Sequence, residues 1–127
     1  MRNEQKFFIC KRCGNMVGMV FNAGVSIACC GEEMKELVPN TVEASVEKHL
    51  PVVTADGNRV TVNVGSADHP MAPEHFIEWI YIETEKGGQR KNLSPGDAPI
   101  AVFLIEDDKV TAAYAYCNLH GLWKTGV

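Results

Sequence analysis

Ile77-Glu78-Trp79-Ile80-Tyr81-Ile82-Glu83 is a run of β-branched and aromatic residues, and Ile100-Ala101-Val102-Phe103-Leu104-Ile105 follows it as an unbroken apolar run. The first has the composition of a strand. The second is too short for a typical helix and predicts a strand buried on both faces. Working outward, Val60, Val62 and Val64 alternate with Thr61 and Asn63, the period-two pattern of a half-buried strand. Val110, Ala112, Tyr114 and Tyr116 alternate in the same way and read as the last strand. Lys86-Gly87-Gly88-Gln89 reads as a hairpin turn and Pro95-Gly96-Asp97 as another turn. Thr41 to Lys48 offers one short helical turn, ended near Pro51. Short strands, frequent turns and almost no helical periodicity predict an all-β sandwich or barrel.

The N-terminal part has a different character. Residues 1 to about 36 hold four of the five cysteines and the turn formers Gly14, Asn15, Gly18, Asn22, Gly24 and Gly31. Between them lie Met16-Val17, Met19-Val20-Phe21 and Val25-Ser26-Ile27-Ala28, which suggest a tiny sheet folded around a metal. A unit of that size needs a metal or disulfides to hold it. Leu37-Val38-Pro39-Asn40 reads as the linker, so the expected domains are 1–37 and 38–127.

The 127 residues are 46% apolar and 22% charged, the balance of a globular protein. The net charge of -4 and scattered Lys and Arg speak against nucleic acid and anionic membranes as partners. The polar start Met1-Arg2-Asn3-Glu4-Gln5-Lys6 precedes only Phe7-Phe8-Ile9, too short for a signal-peptide core. No stretch is long enough to span a bilayer. The expected location is the cytoplasm, where clustered cysteines read first as metal ligands.

Cys10-Lys11-Arg12-Cys13 is a CxxC, and Cys29-Cys30 follows after fifteen intervening residues. Four thiolates suit tetrahedral zinc or iron. In such knuckles backbone N–H groups can point at the thiolates, and Gly14 helps the chain turn. Neighbouring residues of an extended chain point to opposite sides. Both Cys29 and Cys30 reach one ion only if the backbone bends sharply between them. A site that merely holds the small unit together is the plainer reading of four cysteines alone. A Cys29–Cys30 bridge is the poorer alternative, since vicinal disulfides are strained.

The four histidines and the fifth cysteine form the second group. His49 follows Glu47-Lys48, His69 and His75 bracket the Pro-containing loop Pro70-Met71-Ala72-Pro73-Glu74, and Cys117-Asn118-Leu119-His120 ends the expected last strand. Each alone has a bland reading, a surface or core histidine or a small buried thiol. Together, all five lie at loops or strand ends, where ligands can converge. Zinc seldom takes five protein ligands. One thiolate with several imidazoles fits iron, with a coordination position left open or weakly held.

Cys10-x-x-Cys13, Cys29-Cys30, Glu47-Lys48-His49, His69-Pro70-Met71, His75 and Cys117-Asn118-Leu119-His120-Gly121 occur in the order and approximate spacing of one family. Over essentially its whole length the chain resembles a desulfoferrodoxin, the two-iron form of superoxide reductase. The resemblance implies a desulforedoxin-like iron on Cys10, Cys13, Cys29 and Cys30. It implies a second iron with His49, His69, His75 and His120 around it, Cys117 as its axial ligand and the open position opposite. It further implies an immunoglobulin-like sandwich for the C-terminal part, a homodimer, superoxide as substrate and a reduced rubredoxin as electron donor. Glu47 resembles the residue that takes the sixth position on ferric iron.

Superoxide is an anion and the chain is net negative, so attraction must be local. Lys48, beside His49, is the candidate for steering substrate and organising proton delivery through water. Taken without the family, Lys48 is an ordinary solvated lysine and Glu47 its surface partner. The competing functions are an electron carrier using the four-cysteine iron alone, a colourless zinc-stabilised binding module, and a superoxide dismutase. Five ligands at the second site speak against a pure carrier. A thiolate-ligated iron drawing its electron from a donor fits reduction better than disproportionation.

Overall fold

The computed structural model describes residues 4–127; Met1, Arg2 and Asn3 of the polar start lie outside it. The chain forms two compact units, Met1–Val38 and Pro39–Val127. The first is built on β1 (Phe7–Ile9), which pairs antiparallel with β2 (Met16–Gly18) on one side and β5 (Lys35–Glu36) on the other. A separate small hairpin joins β3 (Ala28–Cys29) to β4 (Glu32–Glu33). Among the described residues of this unit only Phe7, Met34 and Cys10 are buried hydrophobics, far too little core for it to stand without a staple. Met19-Val20-Phe21 and Val25–Ile27 are not strands, and Val20, Phe21 and Val25 are exposed.

The second unit opens with a single helical turn, α1 (Val46–His49), shorter than the expected Thr41–Lys48. Seven strands follow: β6 (Pro51–Asp56), β7 (Arg59–Val64), β8 (Ile77–Thr84), β9 (Gly87–Asn92), β10 (Ile100–Leu104), β11 (Val110–Cys117) and β12 (Gly121–Gly126). They make two antiparallel sheets, ordered β10-β7-β6 and β12-β11-β8-β9. Between them lies one core in which Val60, Val62, Val64 and Phe103 of the first sheet meet Ile77, Ile80, Ile82, Ala113, Ala115 and Cys117 of the second. Seven strands in three-plus-four layers are the expected immunoglobulin-like sandwich.

Two expectations change. The run at Ile100–Ile105 is not buried on both faces. β10 is an edge strand that buries Ala101 and Phe103 and leaves Ile100 39% and Leu104 69% exposed. The doubly buried strand is β11. Its inner face is Ala113, Ala115 and Cys117, while on the outer face Tyr116 stacks on Trp79 and Tyr114 meets Tyr81 edge-on. Nor is β11 the last strand: β12 follows and pairs with it from Ala112↔Gly126 to Cys117↔Gly121.

At its end β11 also slips against β8. Tyr116 opposes Trp79 but Cys117 opposes Ile77, so β8 has one extra residue there. Such bulges re-aim side chains near sites. Here the extra residue turns Ile77 into the core beside Cys117, although Ile80, three residues on, faces the same way.

Candidate metal centres

In the first unit the knuckle between β1 and β2 presents Cys10 and Cys13. Gly14 takes φ 84°, its N–H bonds the Cys10 carbonyl at 2.9 Å, and the Asn15 N–H reaches the Cys13 sulfur at 3.4 Å. Backbone N–H groups of Cys13 and Arg12 turned on the Cys10 sulfur hold its thiol down at about 6. The other pair sits on the β3–β4 hairpin, whose two-residue loop is Cys30-Gly31. Both residues have positive φ, 54° and 76°, the backbone of a type I′ turn. This is the sharp bend that adjacent ligands require. It brings the two sulfurs to 4.0 Å, with Cys13 Sγ 3.7 Å from Cys29 Sγ.

All four sulfurs lie within 4.8 Å of one another. Ligands 2.3 Å from a tetrahedral ion stand about 3.8 Å apart, so the spacing fits. Bonded to Cys13 and Cys10, the Cys30 thiol is pushed up to about 12, and Cys29 rises chiefly through its bond to Cys13. A cation binding to such a cluster displaces thiol protons.

The second cluster forms at one end of the sandwich. His49 ends α1 and His69 follows β7, both at the three-stranded sheet, while His75 precedes β8, Cys117 ends β11 and His120 closes the β11–β12 turn. That turn is a three-residue loop, Asn118–His120, followed by Gly121 at φ 76°. A left-handed residue there is what such hairpins need, and it places a thiol and an imidazole of Cys-x-x-His on one ion's reach.

The rings stand in a cycle. Centroids are 4.6 Å apart for His49–His69, 4.7 Å for His69–His75, 5.2 Å for His75–His120 and 4.9 Å for His49–His120. The diagonal His49–His75 is longer, 6.4 Å. His49 Nε2 lies 3.2 Å from His69 Nε2 and 3.1 Å from His120 Nδ1, and Cys117 Sγ is 3.9 Å from that Nδ1.

Tautomers show what belongs in the centre. His49 Nδ1 donates to the Ser45 carbonyl at 2.6 Å and His69 Nδ1 to the Pro70 carbonyl at 2.7 Å. Their protons are therefore on Nδ1, and two Nε2 lone pairs face each other at 3.2 Å. His75 Nε2 is buried with no partner. Burial pushes His49, His69 and His75 down, His69 to about 4, so all three are neutral at pH 7. Lone pairs crowded without a proton between them call for a cation. Nitrogens at right angles about an ion 2.0–2.1 Å away stand about 3 Å apart, which these do. Burial raises the Cys117 thiol, and the backbone N–H groups of Leu119 and His120 oppose that rise. The donor set, four imidazoles and one thiolate, fits iron.

Glu47 and Lys48 are exposed on α1 beside this cluster. The Lys48 charge reaches both His49 and His75 and disfavours their protonation. The sequence alone does not reveal the supporting residues. Trp123 donates its indole N–H to the His120 carbonyl at 3.1 Å and packs on His49 at 4.9 Å. Gly65 and Asn118 brace the loops. Gly65-Ser66 and Asn118 carry a local signal, a glycine beside a ligand loop and an amide inside Cys-x-x-His, but no partner can be assigned to them without the fold.

The family model for desulfoferrodoxin matches residues 41–126. A desulfoferrodoxin homologue from Archaeoglobus fulgidus is 43% identical over 99% of this chain and 100% of its own length. The desulfoferrodoxin of Nitratidesulfovibrio vulgaris is 44% identical over 98% of each chain. Among solved structures, the superoxide reductase from Treponema pallidum superposes with a TM-score of 0.83 at 44% identity, covering 97% of this chain and 99% of that one. The one-iron superoxide reductase from Giardia intestinalis covers only 64% of this chain, with a TM-score of 0.55 at 32% identity. Two metal clusters in one all-β chain, matched along nearly its whole length, place this protein in the desulfoferrodoxin family.

Proposed function

We propose that this chain is a superoxide reductase: superoxide takes up one electron and two protons and leaves as hydrogen peroxide, with no dioxygen formed. The observation that carries the reading is the pair of facing Nε2 lone pairs on His49 and His69, closed into a ring by His75 and His120 above a buried Cys117. His49, His69, His75, His120 and Cys117 would hold the catalytic iron, and Cys10, Cys13, Cys29 and Cys30 the other. When bound in the second site, ferrous iron would supply the single electron.

The rest is the work of the chain. Imidazole is a neutral ligand, so Cys117 as thiolate would be the site's only negative ligand, leaving it a net positive charge of about one with a ferrous ion. Lys48 adds a second positive charge at the mouth and draws the anion in against the net charge of -4. Its ammonium also orders the water that delivers protons. Glu47, exposed on the same turn, is the carboxylate we assign to the iron when no substrate is there. Buried Cys117 sits in the hydrophobic core and is closed to water.

The finer assignments belong to the same reading. Residues 1–37 are the desulforedoxin-like domain and 38–127 the catalytic one. The protein works as a homodimer in the cytoplasm with a reduced rubredoxin-like donor, and with neither nucleic acid nor membrane as partner. No helix among the described residues is long and apolar enough to cross a membrane, and all five cysteines are free. The first iron relays electrons or stabilises its small unit; an electron carrier is the function left if only that site holds iron.

The test is the visible spectrum of the purified protein with iron and zinc counted per chain, followed by superoxide decay after pulse radiolysis. Two irons, a thiolate-to-iron band from Cys117 that appears on oxidation, and consumption of superoxide without dioxygen are expected. Iron in the four-cysteine site alone, with zinc or nothing in the other, removes the reductase assignment.

A further inference from the structure

His49 and His69 are each oriented from behind by a backbone carbonyl, and the His120 backbone by Trp123. Among the described residues no comparable bond holds the His75 ring, and its Nε2 is buried unpaired. Its aim therefore rests on the backbone of its loop. Ala72 and His75 bond each other in both directions at 3.0 Å, which closes the loop on itself but does not fix it against the rest of the cluster.

That anchoring comes from Asn118. Its Nδ2 donates to the Glu74 carbonyl at 3.1 Å, its Oδ1 accepts from the Phe76 N–H at 2.9 Å, and its own N–H donates to the Phe76 carbonyl at 3.2 Å. One planar amide thus grips the residues on both sides of His75. Asn118 also follows Cys117 directly and occupies the hairpin loop that ends in His120. An aspartate lacks the donor, and a serine is too short to span both groups.

We propose that Asn118 is a positioning residue of the four-histidine, one-cysteine site, fixing His75 relative to Cys117 and His120. The proposal rests on the reading that this site holds iron. Outer partners of metal ligands typically contribute ~10–100-fold to metal affinity.

The experiment uses the full-length, iron-loaded protein and its Asn118→Ala and Asn118→Asp variants. It follows iron release to a ferrous chelator, the thiolate-to-iron band of the oxidised protein, and amide hydrogen exchange at Phe76 in metal-free protein. Asn118→Ala is expected to release the second iron roughly 10-fold faster or more, to shift the band, and to speed exchange at Phe76. The four-cysteine absorption should not change. Asn118→Asp, which keeps the acceptor for Phe76, should fall between Ala and wild type; it also carries the test if the Ala variant does not fold. Wild-type release and an unshifted band in both variants overturn the proposal. If wild-type protein takes no iron at this site, the functional reading fails by itself, and Phe76 exchange alone then decides on Asn118: unchanged exchange overturns it.

Discussion

Gly65 packs directly beneath the carbonyl of Glu47: a β-carbon at position 65 would stand 2.7 Å from that oxygen and 2.9 Å from the Leu50 carbonyl. The same carbonyl accepts from the Ala67 N–H at 2.8 Å and the Ser66 hydroxyl at 3.2 Å. Both acceptors are backbone, so neither can swing aside. Gly65→Ala should therefore push α1, with His49, away from His69. We expect a loss of about 1–3 kcal/mol of stability, the usual cost of overpacking, and weakened iron retention at the second site only. Thermal melts and iron counts check this; a variant with wild-type values of both would refute the contact.

Lys48 and Glu47 are neighbours with opposite expected effects. Lys48→Ala should slow the reaction with superoxide by ~10-fold at low ionic strength, with a smaller deficit at high salt. Glu47→Ala should leave that rate nearly intact and alter the resting ferric spectrum. Pulse radiolysis across a salt series separates the two. Equal rates for wild type and Lys48→Ala at every salt concentration would remove Lys48 from the mechanism.

The Cys30-Gly31 turn gives a way to remove one iron and keep the other. Gly31 sits at φ 76°, where a side chain costs about 1–2 kcal/mol and a β-branched one more. Gly31→Val should deplete iron from the four-cysteine site and leave the second site full. Single-turnover reduction of superoxide by the pre-reduced variant should keep its wild-type rate. A slowed single turnover would mean that the first iron feeds the second within that turnover.

Asp108 supplies a pH dependence of its own, outside both ligand sets. Its carboxylate is held below the ordinary 3.8 first by a hydrogen bond from Thr84, then by the N–H groups of Lys109 and Lys86, which lie 2.7 Å and 3.2 Å from it. A depressed carboxylate stabilises the fold fully above its unfolded value, and that contribution fades as pH falls through the folded one. The difference in Tm between wild type and Asp108→Asn should thus be largest above about pH 5 and shrink on acidification below 3.8. A difference that grows toward low pH would contradict this role.

Both metal clusters were legible because cysteine and histidine are scarce in this chain and each falls at a turn or strand end. The sharp bend demanded of Cys29-Cys30 appears as a type I′ turn, since only a reversal lets adjacent side chains share an ion. The sandwich was legible in Val60–Val64 and Ile77–Glu83. The edge position of β10 was not, because six apolar residues in a row carry no information on strand order. β12 was hidden because Leu122-Trp123-Lys124-Thr125 shows no alternation, and its partner strand is buried on both faces. Gly65 meets Glu47, Asn118 holds Glu74 and Phe76, and Trp123 packs on His49 across stretches of chain that only folding brings together, so local spacing gives no hint of these contacts.

The ligand cluster joins the two layers of the sandwich. His49 and His69 extend from one sheet, and His75, Cys117 and His120 from the other. A bound ion is thus a clasp between layers, in the role the inter-sheet disulfide plays in antibody domains. Unlike a disulfide it opens without reduction, by simple loss of the ion. Cys117 is fully buried in the core beside the other ligands, so its alkylation requires the layers to part, and the alkylation rate should report how often they do.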